Sequence, residues 1–260
     1  MIFPVPFTRS AEYRAKLASP TSAAPSFASK ADTFTLSTRA GSPNKKEEPK
    51  EEKASPPVVS LAAQMAEIEA LMDTKPLVLA LNGELKEENG NALTHELYSY
   101  GRWYHNADGT LNAEKVAKKP IHLLINSPGG SVTEMFQIID AMDRLKEQGI
   151  KVETHVSGIA ASAAAVIASN GTPGHRTISK NATVMIHQPS YGLNPSFVTL
   201  HERHMDIAKR YRKMGADILA NNTGGKHTPE KVLKDMEWDK FFVGQEAVDY
   251  GLADTVADFD

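Results

Sequence analysis

Three short segments hold the residues of this chain best suited to bond-making chemistry. Ser127-Pro128-Gly129-Gly130-Ser131 pairs two glycines just ahead of a helical pattern, where backbone N–H groups can point at a substrate oxygen with no Cβ in the way. Gly158-Ile159-Ala160-Ala161-Ser162-Ala163-Ala164 surrounds one serine with residues that have almost no side chain, so a carbonyl group could approach its hydroxyl. A helix beginning at that serine would add free N–H groups and a dipole that favour developing negative charge. The plainer alternative is that Ser162 only caps the helix. Met185-Ile186-His187-Gln188-Pro189 puts a histidine at the end of a strand-like run. A loop of N–H donors, a serine at a helix start and a histidine at a strand end are the parts needed for acyl transfer.

The part still missing is a carboxylate to hold the imidazole in one tautomer and stabilise the imidazolium. Asp206, Asp217, Asp235, Asp239, Asp249 and Asp254 all lie downstream, and residue chemistry leaves the choice among them open. Asp239 stands between Trp238 and Phe241-Phe242, where an aspartate could sit half-buried beside a ring. Asp206, Asp217 and Asp235 read as polar faces of helices. Other chemistries find less support. Neither Pro128-Gly129-Gly130 nor Gly225-Lys226 satisfies the Gly-x-x-x-x-Gly-Lys-Ser/Thr pattern of a phosphate loop. Ser162 does not lie in a Gly-x-Ser-x-Gly elbow. His201-Glu202-Arg203-His204 is not His-Glu-x-x-His, and no third ligand suggests itself, so neither a metal nor another cofactor is expected.

Alternating strands and helices must position these segments. Leu77–Leu81 reads as a buried strand closed by Asn82-Gly83, Ile121–Ile125 as a second, Lys151–Val156 as a third and Thr183–Ile186 as another. Helical spacing marks Ser60–Leu71, Asn91–Tyr104, Thr133–Gln148, Pro195–Asn221, Pro229–Met236 and Gly244–Tyr250, and the small-residue run Gly158–Ala168 should enter a further helix. Strand and helix alternate from Leu77 onward, the signature of an α/β domain with mostly parallel pairing. In such domains functional groups collect at the carboxyl ends of the strands, where all three segments fall.

Composition limits the classes available. The 260 residues carry a formal net charge of −3, which argues against a nucleic-acid binder held by a basic face. No stretch approaches the apolar length of a membrane span. Cysteine is absent, so disulfides, a thiolate nucleophile and a cysteine zinc site are excluded. Residues 1–57 differ from the rest: Ser, Ala, Thr and Pro dominate to Lys46, followed by the charge-mixed run Lys45–Lys53 and Ser55-Pro56-Pro57. Disorder is the expectation there, with a transit peptide or propeptide as the functional alternatives. Residues 58–260 are expected to form the globular domain.

The segments Asn126–Val132, Gly158–Ser162 and Val184–Pro189, in this order and spacing, resemble the signature segments of the Clp protease proteolytic subunit (ClpP) family. Gln245–Asp254 is similar as well, and the resemblance runs from about Leu77 to Val256. It implies that Ser162 is the nucleophile, His187 the general base and Asp239 the triad aspartate. It also implies that Gly130 and Ala163 supply the N–H groups of an oxyanion hole. The fold it implies is an α/β spiral of repeated ββα units, shared with the crotonase group, with the helix from Pro195 as a protruding handle. The function it implies is a serine endopeptidase acting on polypeptides inside stacked rings of its own copies, heptameric in the family and fed by an AAA+ Clp ATPase. A cytoplasmic location follows, or a plastid stroma if the leader is a transit peptide; neither nucleic acid nor membrane is expected as a partner. His187 must be neutral to take a proton, so activity should fall on acidification from about pH 8 to about pH 5.

The chain departs from the family pattern in three places. No axial entrance segment is recognisable between Ser60 and Pro76, the connection Gly101–Lys119 is longer than usual, and Tyr191–Pro195 stands where a double glycine normally follows His-Gln-Pro. These departures keep open a specialised maturation protease similar to the prohead proteases of tailed phages. A catalytically silent ring subunit and a crotonase-like acyl-CoA enzyme complete the alternatives. Silent paralogues typically lack a triad residue, and none is lacking here.

Overall fold

The computed structural model describes residue 70, residues 73–190 and residues 198–257, all within the compact unit Pro57–Asp260. The expected tail, all but one residue of the expected helix Ser60–Leu71, and the segment Tyr191–Pro195 lie outside the described residues.

The sheet is organised around one long strand. β1 (Leu77–Asn82), β2 (Ile121–Ser127), β3 (Val152–Ala161), β4 (Arg176–Ser179) and β7 (Thr255–Ala257) run parallel in the order β1-β2-β3-β4-β7. β5 (Thr183–Ile186) joins the far half of β3, and β6 (Lys240–Val243) pairs antiparallel with β5. β3 therefore changes partners midway: Thr154–Val156 pair with β4, whereas Ile159–Ala161 pair with β5. Gly158, at φ +102°, marks the change, and the β2–β3 register shifts between Ile125 and Ser127. A Cβ at Gly158 would lie 2.7 Å from Asn126 Oδ1, an atom that accepts the Ile159 N–H. A glycine kink of this kind redirects a strand, and here it carries the end of β3, with Ser162 beyond it, towards β5.

Period-2 alternation explains which face is covered. Leu77, Leu79 and Leu81 of β1 and Ile121, Leu123 and Ile125 of β2 are buried, while Val78 and Leu124 face outward. Over the buried face lie α1 (Glu87–Trp103), α3 (Val132–Glu147) and α4 (Ala163–Ser169). α3 buries Met135, Ile138, Ile139, Met142 and Leu145, the stripe expected of a 3.6-residue period. Every residue of α4 is buried, so its alanines let it pack tightly behind Ser162. α5 (Val198–Asn222), α6 (Pro229–Asp235) and α7 (Gln245–Tyr250) complete the domain.

The α/β expectation holds, and so does the mostly parallel pairing. Three short strands, β4, β6 and β7, have too few residues to leave a period, and their places are set by pairing. The long connection after Gly101 folds as a turn at Asn106–Thr110 and a short helix, α2 (Ala113–Lys118), capped by Asn112. The run Gly158–Ala161, expected to enter a helix, continues β3, and helix begins only at Ala163. Backbone pairing with β2 and β5 outweighs the helical propensity of alanine there.

A buried arginine ties the far end of the sheet to the helices. Arg176 donates through Nε and its backbone N–H to Asp254 Oδ2, both at 2.9 Å, and through Nη1 to the carbonyls of Ser169, Asn222 and Gly251. Burial alone would raise the Asp254 carboxyl, but the hydrogen bonds and charge of Arg176 outweigh it and hold it below the usual range. A depressed carboxyl of this kind stabilises the fold above the ordinary carboxylate range and loses that contribution as the pH falls below it. Arg176→Met should destabilise the protein by about 3–5 kcal/mol, because it leaves the carboxylate and three carbonyls without their donor. Urea unfolding checks this, and a cost under about 1 kcal/mol would show that the network does not hold the fold.

Candidate active site

Strand register assembles the site. Ala161 of β3 pairs with Met185 of β5, and Ile186 of β5 pairs with Lys240 of β6. One residue beyond these pairs, past the ends of β3 and β5 and just before the start of β6, Ser162, His187 and Asp239 become neighbours although the first and last are 77 positions apart (239 − 162). His187 Nε2 lies 2.8 Å from Ser162 Oγ, and His187 Nδ1 lies 3.1 Å from Asp239 Oδ1. With Nδ1–H donating to the carboxylate, Nε2 is left as the acceptor for the serine hydroxyl.

Ser162 occupies a strained turn. Its φ of 56° is positive, and among the described residues it is the single non-glycine with that property. The backbone is held there by its N–H donating to the Met185 carbonyl at 2.8 Å and its carbonyl accepting from Ala165 at 3.0 Å. The side chain makes no capping hydrogen bond to α4. The plain N-cap alternative therefore fails, since the hydroxyl is turned to His187 and away from the helix. The sequence lacks Gly-x-Ser-x-Gly, yet the backbone makes the same sort of sharp strand-to-helix turn that exposes a nucleophile.

The glycine pair lies against this turn. A Cβ on Gly129 would fall 2.8 Å from Ser162 Cβ, and one on Gly130 would fall 2.1 Å from the Leu85 carbonyl oxygen. Leu85 N–H donates to the Gly129 carbonyl, and the Ser131 N–H donates to the Leu85 carbonyl. These bonds flank Gly130 and leave its own N–H without a backbone acceptor among the described residues; the Ala163 N–H is likewise without one. Leu85 is a supporting residue that no local sequence pattern flagged, because its role is a backbone bridge to a residue 45 positions away (130 − 85).

The other aspartates are committed elsewhere. Asp217 pairs with Lys213, Asp206 with Lys209, Asp249 accepts from Gln245, and Asp254 belongs to Arg176. Burial would raise the Asp235 carboxyl, but hydrogen bonds from Lys231, Lys240 and Tyr250 pull it down to about 2. That cluster anchors α6 to the first residue of β6 and so brackets the loop that ends in Asp239. The Gln188 N–H, donating to the Met236 carbonyl at 2.7 Å, ties the same loop to the residue after His187.

Asp239 is not half-buried beside a ring. Its side chain is 59% exposed, and Trp238 and Phe241 are 84% and 57% exposed. The aromatic neighbours point away because β6 is an edge strand, and only Phe242 turns inward. Pairing with β5 places Asp239, and ring burial does not.

Next to Ser162 and His187 lies an apolar cavity of about 30 Å³, walled by Met135, Val166, Ile186, Leu219 and Met236. A wider hollow of about 550 Å³ opens between His187 and Trp238. His204 is exposed on α5, and the His201 side chain lies outside the described residues. Among the described residues no His, Asp and Glu group could hold a metal ion, and no helix is long and apolar enough to cross a membrane.

The family model described as Clp protease matches residues 110–260, a span that contains Gly130, Ser162, His187 and Asp239. The chain belongs to the Clp protease family. It is 40% identical over 136 residues to ATP-dependent Clp protease proteolytic subunit 4 of Rhodococcus jostii (strain RHA1), covering 52% of this chain and 67% of the relative. It is 35% identical over 182 residues to the ATP-dependent Clp protease proteolytic subunit of Ligilactobacillus salivarius (strain UCC118), covering 70% of this chain and 83% of the relative. This Clp family chain is thus a serine-type peptidase on an α/β fold, as the signature segments implied.

Proposed function

We propose that Ser162, His187 and Asp239 form the catalytic triad of this Clp-type peptidase and that the N–H groups of Gly130 and Ala163 form its oxyanion hole. The observation that carries the reading is the continuous pair of contacts, 2.8 Å and 3.1 Å, from the Ser162 hydroxyl through His187 to Asp239. His187 Nε2 takes the hydroxyl proton as Oγ attacks a peptide carbonyl. The oxyanion of the tetrahedral intermediate forms beside two N–H groups that have no backbone acceptor among the described residues. Collapse of the intermediate releases the amine, which receives the proton from His187, and leaves an acyl-enzyme on Ser162. Water then attacks the acyl carbon while His187 takes its proton; the second tetrahedral intermediate collapses by breaking the bond to Oγ, His187 returns the proton to Ser162, and the acid product departs. Asp239 stays ionised throughout and stabilises the imidazolium. The apolar cavity beside Ser162 receives the side chain that precedes the scissile bond.

The peptidase comprises residues 58–260, and residues 1–57 are a low-complexity tail or propeptide. The chain works in the cytoplasm on polypeptides, inside stacked, seven-membered rings of its own copies fed by an AAA+ Clp ATPase. The relatives' names support the last element, since both are called ATP-dependent proteolytic subunits.

A fluorophosphonate probe tests the triad: mass spectrometry should place its adduct on Ser162. A correctly folded and assembled protein that stays unlabelled would sink the assignment.

A further inference from the structure

Glycine is the poorest residue for a helix interior apart from proline, so a glycine within a long helix calls for a reason. Gly215 lies in the interior of α5, with a helical backbone that asks for no special φ. Close approach of a neighbour is the usual explanation, and it does not apply. Gly215 is buried, yet a Cβ built on it meets no described atom within 4 Å. A buried residue whose side-chain direction is empty faces a cavity, and Gly215 lines the apolar cavity beside Ser162. It sits midway along the stripe Tyr211-Gly215-Leu219, spaced at i, i+4 and i+8, which turns one face of α5 towards that cavity.

The geometry points to Gly215 as the residue that sets substrate size: its missing side chain lets the cavity admit a large apolar residue on the acyl side of the scissile bond. This rests on the triad reading, because it takes the cavity as the place where the residue preceding the cleaved bond is held. Among its described lining residues the cavity carries no Asp, Glu, Lys or Arg side chain, so the class it accepts is aliphatic or aromatic. Met135 and Met236 are flexible walls that can give way to a larger side chain than the empty volume holds. A side chain at 215 would grow into the same space from the helix side and compete with the substrate for it.

The test compares the full-length chain with Gly215→Ala and Gly215→Met on peptides that differ only in having Ala, Leu or Phe before the cleaved bond. The Leu:Ala and Phe:Ala ratios of kcat/KM should fall stepwise, by about tenfold or more in Gly215→Met, the scale set by one or two methylenes in an apolar pocket. A ratio cancels any uniform loss of activity, and a Cβ in a helix interior favours the helix, so a poorer fold does not imitate the result. Ratios unchanged within about twofold in both variants would overturn the inference. Binding separates this from failure of the triad reading. In a Ser162→Ala background, fluorescence polarisation with peptides ending in Ala, Leu or Phe reads the cavity without chemistry. A Leu:Ala affinity ratio that falls with Gly215→Met supports the role of Gly215 even if the unmodified chain cleaves nothing. Equal affinity for all three peptides, or none for any, overturns it even if Ser162 is labelled.

Discussion

Ser162→Ala should lower kcat for peptide hydrolysis by about 10⁶-fold and abolish fluorophosphonate labelling, the scale on which a triad nucleophile acts. That loss corresponds to roughly 8 kcal/mol of barrier at about 1.4 kcal/mol per factor of ten. The physical reason is the coupling at Ser162: in the proposed triad, removing Oγ removes both the nucleophile and the hydroxyl 2.8 Å from His187, so the base has nothing to activate. The two N–H donors remain and leave a residual rate above that of water. The substitution should also test the backbone. Ser162 holds φ 56° through main-chain bonds to Met185 and Ala165, which alanine keeps, so the fold should survive with an unfolding midpoint close to that of the unmodified chain. Steady-state kinetics with urea unfolding check both parts. A variant that retains more than about one-hundredth of the activity would move the nucleophile elsewhere.

Asp239→Asn should cost about 10³- to 10⁴-fold in kcat. An asparagine amide can donate to Nδ1, which would place the imidazole proton on Nε2 and leave no acceptor for the Ser162 hydroxyl. The size of the loss carries information about the environment. A buried carboxylate would reach the upper end, whereas water can reach the 59% exposed Asp239 side chain and partly replace it as acceptor. The lower end is therefore expected wherever the edge strand β6 stays open to solvent. Comparing kcat with KM isolates the effect, because Asp239 acts through His187 and should leave peptide affinity largely intact. A loss of less than about tenfold would mean that another group orients the imidazole.

Much of this site was legible in residue types. Pro128-Gly129-Gly130, Ser162 in its run of small residues and His187 before Pro189 all announce themselves, because each role demands an unusual side chain or none at all. A glycine that must accept φ +147° beside the Leu85 carbonyl, and a serine that needs room around it, leave a local trace. Asp239 leaves none. Six aspartates were compatible with the chemistry, and the rings beside Asp239 suggested a half-burial that it does not have. Resemblance to the family's signature pointed to it, and the β5–β6 register brings it to His187. Gly215 leaves a faint local trace, an isolated glycine within a helical period.

The sequence by itself determined the class of fold and the candidate reactive groups. Alternating apolar runs, helical stripes and punctuating glycines are local properties, and they sufficed for an α/β domain whose strand ends carry a donor loop, a serine and a histidine. Tertiary structure alone decided how those ends meet. Gly158 turns β3 from β4 to β5, the antiparallel β6 then sets Asp239 beside His187, and Leu85 fixes the glycine loop against Ser162. Each of these is a pairing between residues far apart in the chain, and its free energy comes from backbone hydrogen bonds and shared burial, which no window of neighbouring residues contains.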